Sequence, residues 1–269
     1  MNKSALILVL LSLNLSAYSD YDMDGVDDKS DQCPNTPFNE LVDSKGCSIK
    51  SLVSPHHFDI ILGLESSQVN YATLEKTDTL TQSLELDYYY KKFSLQVSTS
   101  HYNSQKNTFS ESGMNDSFFG AYYNVKPNDT LSVRLGAGLI LPTYGDALNN
   151  NNTDYTASVN VSYQFENMNL FAGCGYTIVR DDNIPGSVSY QNTNSFTAGL
   201  GFYPAKDFYL SAAYNSSESI YAGLMRINTA SFYVFYNIDE NWFTNITYAH
   251  GLSETASDNT VSLRLGYRF

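Results

Sequence analysis

The chain has 269 residues, of which only 16% are charged, and its formal net charge is −13. An acidic chain of this kind argues against nucleic acid as a partner, because phosphate backbones bind basic surfaces. After the first 19 residues no run of 18 apolar residues occurs, which excludes a membrane protein built from helices. The 22 Tyr and 15 Phe are many more than a soluble domain of this length needs.

The first 19 residues are typical of a secretory signal peptide. Lys3 supplies the positive start, 5–15 form a short apolar core, and small residues just before Asp20 suit cleavage. The apolar core is too short to span a bilayer, so we favour a signal over an N-terminal membrane anchor. Export is therefore expected, and an oxidising compartment would join Cys33 to Cys47.

An aspartate-rich segment, residues 20–50, follows the signal. Asp at every second position brings carboxylates to consecutive corners of a tight loop, and Gly25 permits the sharp bend. Hard oxygen ligands in this number suit Ca²⁺. The candidate ligands are Asp20, Asp22, Asp24, Asp27, Asp28 and Asp31. The alternative is a solvated acidic linker that self-repulsion keeps extended.

The pattern D-x-D-x-D-G-x-x-D-x-x-D-x-C-P, which runs from Asp20 to Pro34, resembles one thrombospondin type 3 repeat. This resemblance implies calcium binding. The segment that continues to Cys47 is similar to the linker of the OmpA-type outer-membrane protein family.

The sequence pattern of residues 51–269 predicts an all-β domain. From Pro55 onward, segments of about ten residues alternate apolar and polar side chains, as the strands of a lipid-embedded barrel do. In the last segment, Val261, Leu263, Leu265, Tyr267 and Phe269 share one face. We predict a 12-stranded antiparallel transmembrane β-barrel with strands at 57–67, 78–90, 93–104, 115–126, 130–143, 153–165, 169–180, 193–203, 207–216, 228–238, 241–251 and 258–269.

The predicted connections alternate in length, as in bacterial outer-membrane proteins, whose short turns are periplasmic. Short turns are expected at 91–92, 127–129, 166–168, 204–206 and 238–240, and long loops near 68–77, 105–114, 144–152, 181–192, 217–227 and 252–257. An even strand count puts both ends of the barrel, and the acidic module, in the periplasm.

Outward aromatic residues gather beside the predicted short turns and indicate the girdle of a membrane interface. They are Tyr88, Phe93, Tyr123, Phe165, Phe202, Phe208, Tyr236, Trp242, Tyr267 and Phe269. The terminal Phe269 resembles the recognition signal of outer-membrane barrel assembly. In size and layout the chain is similar to the outer-membrane transporter family linked to phenol degradation.

Alternation places several charged residues inside the predicted barrel. The candidate lumen residues are Asp59, Glu85, Asp87, Arg134, Arg264 and Arg268. Two interpretations stay open: a constriction with a transverse field, or a network of ion pairs that satisfies charges in a small barrel. Inward glycines on three strands (Gly136, Gly138, Gly173, Gly175, Gly199 and Gly201) are expected to leave room in the lumen or to permit strand coiling.

Enzymatic chemistry is not expected. His56 and His57 precede the first predicted strand. His101 and His250 occupy outward-facing positions of the alternating pattern, near the outer ends of their strands. His250 has Glu254 and Asp258 nearby, but no Ser or Asp pair completes a site. Cys174 reads as an inert lipid-facing residue.

The expected function is an outer-membrane channel for small solutes, surrounded by lipid, with a periplasmic calcium-binding repeat. The alternative is a structural or adhesive barrel without conductance. In that case the outer loops, including Asn149–Asn152, would bind a partner, and the repeat would contact periplasmic components in a calcium-dependent way.

Overall fold

A computed structural model describes residues 20–36, 42–48, 55–69, 76–106, 109–144, 152–185 and 187–269. The predicted signal peptide and Asn149–Asn151 lie outside these residues. The strands are β1 (His56–Val69), β2 (Thr77–Tyr90), β3 (Phe93–Lys106), β4 (Phe109–Met114), β5 (Ser117–Val125), β6 (Leu131–Leu141), β7 (Asp154–Phe165), β8 (Met168–Ile178), β9 (Thr193–Ala205), β10 (Phe208–Ser217), β11 (Ile227–Asn237), β12 (Trp242–Gly251) and β13 (Asn259–Arg268). No helix in the described part of the chain is long and apolar enough to cross a membrane.

The sheet closes on itself as an antiparallel barrel. β1 pairs with β13 on one side and with β2 on the other, and β2 continues to β3. β3 pairs with β5 near its start and with β4 near its end, so β4 and β5 form one wall strand interrupted at 115–116. The remaining strands follow in chain order, which confirms the predicted all-β, twelve-stranded barrel.

The prediction of a long loop at 105–114 is wrong, because β3 runs to Lys106 and β4 begins at Phe109. The outward positions of this hairpin are mostly polar, for example Asn103 and Ser112, which pair with each other. Without apolar alternation the hairpin had no strand signature, although its backbone pairs as the rest of the wall does.

Two smaller boundaries also differ from the prediction. Pro204 and Ala205 belong to β9, so the turn consists of Lys206 and Asp207. His56 and His57 are the first residues of β1 and do not precede it. The other short connections join their strands at one end of the barrel, which we call the short-turn mouth.

The barrel is apolar outside and polar inside. Among the described residues, the buried apolar side chains are Ile61, Val69, Phe243 and Ala256. By contrast, Leu62 and Leu64 are 59% and 52% exposed on the outer face of β1. So large an exposed apolar surface is typical of a wall that faces lipid.

The predicted aromatic girdle lies on this outer face as pairs of rings. Phe93 and Tyr123 have ring centroids 4.8 Å apart, and Trp242 and Tyr267 are 4.9 Å apart. Tyr267 also contacts Phe269 at 4.7 Å. Cross-strand aromatic pairs stabilise adjacent strands, so the girdle both marks an interface and holds the wall together.

Candidate functional site

The six predicted lumen residues all lie on the inward face of the wall. Arg264 Nη1 lies 3.3 Å from Glu85 Oε2, which joins β13 to β2. Between those strands, Asp59 Oδ1 lies 2.7 Å from Nε2 of His57. Tyr89 donates a hydrogen bond to Asp87 at 3.3 Å.

The other two arginines stack on inward aromatic rings. Arg134 lies 3.8 Å from the ring centroid of Tyr122. Arg268 lies 4.5 Å from that of Phe243 and donates to Asn237 Oδ1 at 3.1 Å. Stacking desolvates one face of each guanidinium and leaves its edge able to bind a polar group.

Two contacts support the ion-pair interpretation of the lumen charges. Arg264 and Glu85 form an ion pair, and Asp59 lies beside the His57 ring. This ion pair is nevertheless accessible to solvent, since the Arg264 side chain is 40% exposed. Water reaches the charges, and the interior is therefore not a sealed core.

An aromatic wall, made of inward rings on β9 to β12, faces the same lumen. Tyr209 lies 4.6 Å from Tyr203 and 6.1 Å from Tyr233, measured between ring centroids. Phe235 and Phe243 continue the wall at 5.6 Å. Alternation of side chains along the predicted strands also places Tyr203 and Tyr233 inside the barrel, but it does not by itself predict that the rings form a cluster. The signal was there, because Tyr209 and Phe243 each follow a girdle residue and so point inward.

Inward glycines such as Gly136, Gly199 and Gly201 do not leave empty space, so the expectation of room in the lumen is wrong there, while strand coiling stays a prediction. A side chain at Gly201 would overlap the Tyr209 ring, and one at Gly199 would overlap Phe171. Gly136 is covered in the same way by Tyr122. Each ring lies flat over a glycine of the neighbouring strand, so the wall is lined with ring faces and the rings do not project into the bore.

A cavity of about 120 Å³ lies on the neighbouring part of the wall, between β6 and β9. Its polar lining residues are Ser132, Arg134, Asn160, Ser162 and Thr197, and the apolar residues Val161, Phe171 and Ala172 are also part of the lining. The stacked Arg134 is part of this lining, so a solute in the cavity meets a guanidinium edge and hydroxyl and amide groups.

Near the short-turn mouth, Asp20, Asp22 and Asp24 form an acidic loop whose carboxylate oxygens lie within 4.8 Å of one another. Asp22 is only 7% exposed. One of its oxygens accepts a hydrogen bond from the Thr36 amide, and Oδ1 is buried without a hydrogen-bond partner. Asp24 Oδ2 is likewise buried without one.

The remaining predicted ligands behave differently. Asp27 Oδ1 accepts from the Lys29 amide at 2.9 Å, and Asp28 Oδ1 accepts from the Tyr21 amide at 2.8 Å. The Asp27 carboxylate caps a local turn, whereas that of Asp28 holds the backbone seven residues earlier, between Asp20 and Asp22. Asp31 Oδ1 accepts from the Cys33 amide at 2.7 Å, while its Oδ2 is buried without a partner.

The close approach of carboxylates in the acidic loop is electrostatically unfavourable when no cation is bound. Burial, with the neighbouring charges of Asp24 and Asp22, raises the pKa of Asp20 to about 6, although the Gly25 amide donates to it. A bound cation would remove this penalty. The donor set of converging carboxylates fits a hard divalent ion such as Ca²⁺.

A disulfide between Cys33 and Cys47, as predicted, closes the module around this loop. Gly46 adopts a φ of +75°, and its missing side chain makes room for Asp31 and Asp24. The bridge therefore brings 42–48 against the carboxylates.

Replacing both bridge cysteines by Ser is expected to destabilise the module by about 3 kcal/mol, because the loop it closes has about 15 residues. Limited trypsin digestion of the full chain should then cleave at Lys29 and Lys45 faster. Cys174→Ser, at an exposed outward position, is the control and should leave the rates unchanged. Equal rates in all three proteins would contradict the expectation.

The described histidines show no paired catalytic arrangement with Ser. His101 and His250 face outward, and His250 Nδ1 lies 3.3 Å from Asn259 Oδ1.

The sequence of residues 64–269 matches the family described as "Putative MetA-pathway of phenol degradation". The chain belongs to this family. The match comprises nearly the whole barrel of this phenol-degradation family member and leaves out residues 20–50. No curated protein sequence matches the chain significantly.

Solved structures share the barrel at low identity. An outer membrane channel from Pseudomonas putida F1 is 13% identical with a TM-score of 0.62, over 85% of this chain and all of its own. The NanC porin is 16% identical with a TM-score of 0.51, over 79% of this chain and 98% of its own. The translocator domain of the autotransporter NalP from Neisseria meningitidis is 11% identical with a TM-score of 0.50, over 82% and 91%. Since identities this low show the fold alone, the lumen has to carry the functional argument.

Proposed function

We propose that this phenol-degradation family member is an outer-membrane channel that passes small solutes. The observation that carries the proposal is the inverted wall: apolar residues face out, and partly hydrated charges and flat rings face in. An eight-stranded barrel is filled by its own side chains, whereas sixteen strands leave a wide pore. Twelve strands with rings folded against the wall leave a narrow bore.

The proposed solutes are small molecules that carry a ring or apolar body and polar substituents. The aromatic wall on β9 to β12 offers ring faces, and the neighbouring cavity on β6 to β9 offers Arg134 with hydroxyl and amide groups. The two surfaces adjoin at β9, so a solute of this kind meets both in the same bore. Purely ionic solutes would use only the charged side of the bore.

The direct test is conductance. Protein comprising residues 20–269, refolded in detergent and shown to be folded by heat-modifiable migration, would be placed in planar bilayers. Steady openings are expected, and they should be reduced by millimolar small aromatic solutes that occupy the bore. Silence from demonstrably folded protein would contradict the channel and favour the structural or adhesive alternative.

The Arg264–Glu85 pair provides a test of the path that ions follow. Arg264→Gln is expected to shift the permeability ratio towards cations, because Glu85 then loses its positive partner and the lumen gains net negative charge. Glu85→Gln should shift the ratio the other way. Reversal potentials in a salt gradient measure both shifts, and an identical shift in the two variants would place the conducting path elsewhere.

We also propose that the acidic loop binds Ca²⁺ through Asp20, Asp22 and Asp24, with the module on the periplasmic side beside the short turns. Support comes from the converging carboxylates and from the buried Oδ1 of Asp22, which has no hydrogen-bond partner. Asp31 lies beside Asp24 over Gly46 and is a further candidate, whereas Asp27 caps a turn and Asp28 accepts from the Tyr21 amide.

A further inference from the structure

The module that contains the acidic loop contacts the barrel at the short-turn mouth. Lys206, in the β9–β10 turn, donates a hydrogen bond from Nζ to the carbonyl oxygen of Gly25. The Tyr21 phenol lies within electrostatic range of Asp129, in the β5–β6 turn, and of Tyr163 on β7. The module therefore lies against the arc of the mouth between β5 and β10.

The chain enters the barrel on the other side of that mouth. β1 begins at His56, and in the closed wall it is separated from β7 and β8 by about half of the circumference in either direction. A module docked between β5 and β10 therefore lies across the mouth from the start of β1.

The contact with Lys206 depends on the shape of the acidic loop. Met23 and Gly25 both have positive φ, 56° and 98°, which turns the Gly25 carbonyl towards the β9–β10 turn. The same turn brings Asp20, Asp22 and Asp24 together, with the buried Oδ1 of Asp22 left without a hydrogen-bond partner. The backbone that makes the cation site is thus the backbone that presents the docking group.

We propose that a divalent cation at Asp20, Asp22 and Asp24 latches the module onto Lys206 across the short-turn mouth, and that loss of the cation releases it. This latch rests on the proposed calcium site but not on conduction. Its occupant is the chain's own N-terminal module, and its consequence for a channel is a cover whose closure depends on the cation.

Two electrostatic effects of the cation oppose each other, and their relative size decides whether the cation favours or disfavours docking of the module. A bound cation weakens the attraction between Asp24 and Lys206, but Lys206 is exposed and that attraction is screened by salt. Repulsion among three partly buried carboxylates within 4.8 Å is screened much less, and it opens the loop when no cation is present. The effect of the cation on the shape of the acidic loop therefore exceeds its effect on the attraction between Asp24 and Lys206, and the cation favours docking.

Amine acylation of the full chain, followed residue by residue by mass spectrometry, tests the latch. With Ca²⁺ in place of chelator, Lys206 should react more slowly by about fivefold. Lys92, in the exposed β2–β3 turn, is the internal control and should react equally in both conditions. Asp22→Asn should abolish the difference at Lys206.

Calorimetry with Ca²⁺ separates the latch from the site on which it rests. If Ca²⁺ binds and Lys206 stays equally reactive, the latch is wrong. If Ca²⁺ does not bind at all, both the site and the latch are wrong. Lys206→Gln should retain calcium binding, because the Lys206 hydrogen bond goes to the backbone carbonyl of Gly25, which is not one of the proposed cation ligands.

Bilayer recordings separate the latch from the channel. Wild-type protein should conduct less when Ca²⁺ is added on the side of the short turns, and Lys206→Gln should lose this response while Lys92→Gln keeps it. A Ca²⁺ response that survives in Lys206→Gln would overturn the latch. Silence in every variant would contradict the channel and leave the acylation result to decide the docking.

Discussion

Replacing Gly136 by Val is expected to destabilise the folded barrel by about 1–3 kcal/mol or more, because the added side chain overpacks the inner wall. A Cβ at position 136 would lie 2.7 Å from Cδ1 of Tyr122 and 2.5 Å from Oγ of Ser158. Tyr122 has little freedom to move. Its hydroxyl donates to Gln96 Oε1 at 2.8 Å, and Arg134 stacks on its ring at 3.8 Å.

Urea titration of the heat-modifiable band in lipid vesicles measures the change. The matched control is Ala137→Val, the next residue, where a similar increase in volume faces outward. That change is expected to stay within about 0.5 kcal/mol of wild type. If Gly136→Val unfolded at the same urea concentration as Ala137→Val, the ring packed over glycine would not be a structural requirement of this wall.

Replacing Asp22 by Asn is expected to weaken calcium binding by at least about tenfold, or about 1.4 kcal/mol. Asn keeps the size of the side chain and can still accept the Thr36 amide, but it removes a charge and a carboxylate oxygen from the centre of the loop. Isothermal calorimetry on the full folded chain measures the loss.

Asp27→Asn is the matched control, because the Asp27 carboxylate caps the Lys29 amide and lies outside the converging group. It changes the net charge equally and should change affinity by less than about threefold. Equal losses in the two variants would indicate a diffuse attraction of cations to an acidic segment and would contradict a defined site.

The strand pattern was predictable because alternation of side chains is a local property. In β13, Leu263 and Leu265 face out and Arg264 and Gly266 face in, as the period of two requires. The hairpin of β3 and β4 was not predictable in this way. Above the apolar band both of its faces are polar, so its strands carry no alternating signal, and only backbone pairing reveals them.

The sequence predicted the two parts of the site, the acidic loop and the lumen, to different extents. The acidic spacing identified six aspartates, but not that Asp27 caps a turn and Asp28 accepts from the Tyr21 amide while Asp22 is buried. In the lumen, inward direction followed from alternation. Pairing did not, because Arg264 and Glu85 are 179 residues apart and meet only when the barrel closes.

By itself, the sequence determined the barrel class, the girdle, the disulfide pair and the aspartate spacing, since each is expressed within one strand, turn or loop. Only the tertiary structure decided which rings cover which glycines, which charges pair, and where the N-terminal module rests. These depend on register between strands and on closure of the wall. Contacts such as Tyr209 over Gly201 and Lys206 with Gly25 join residues whose proximity no local pattern encodes.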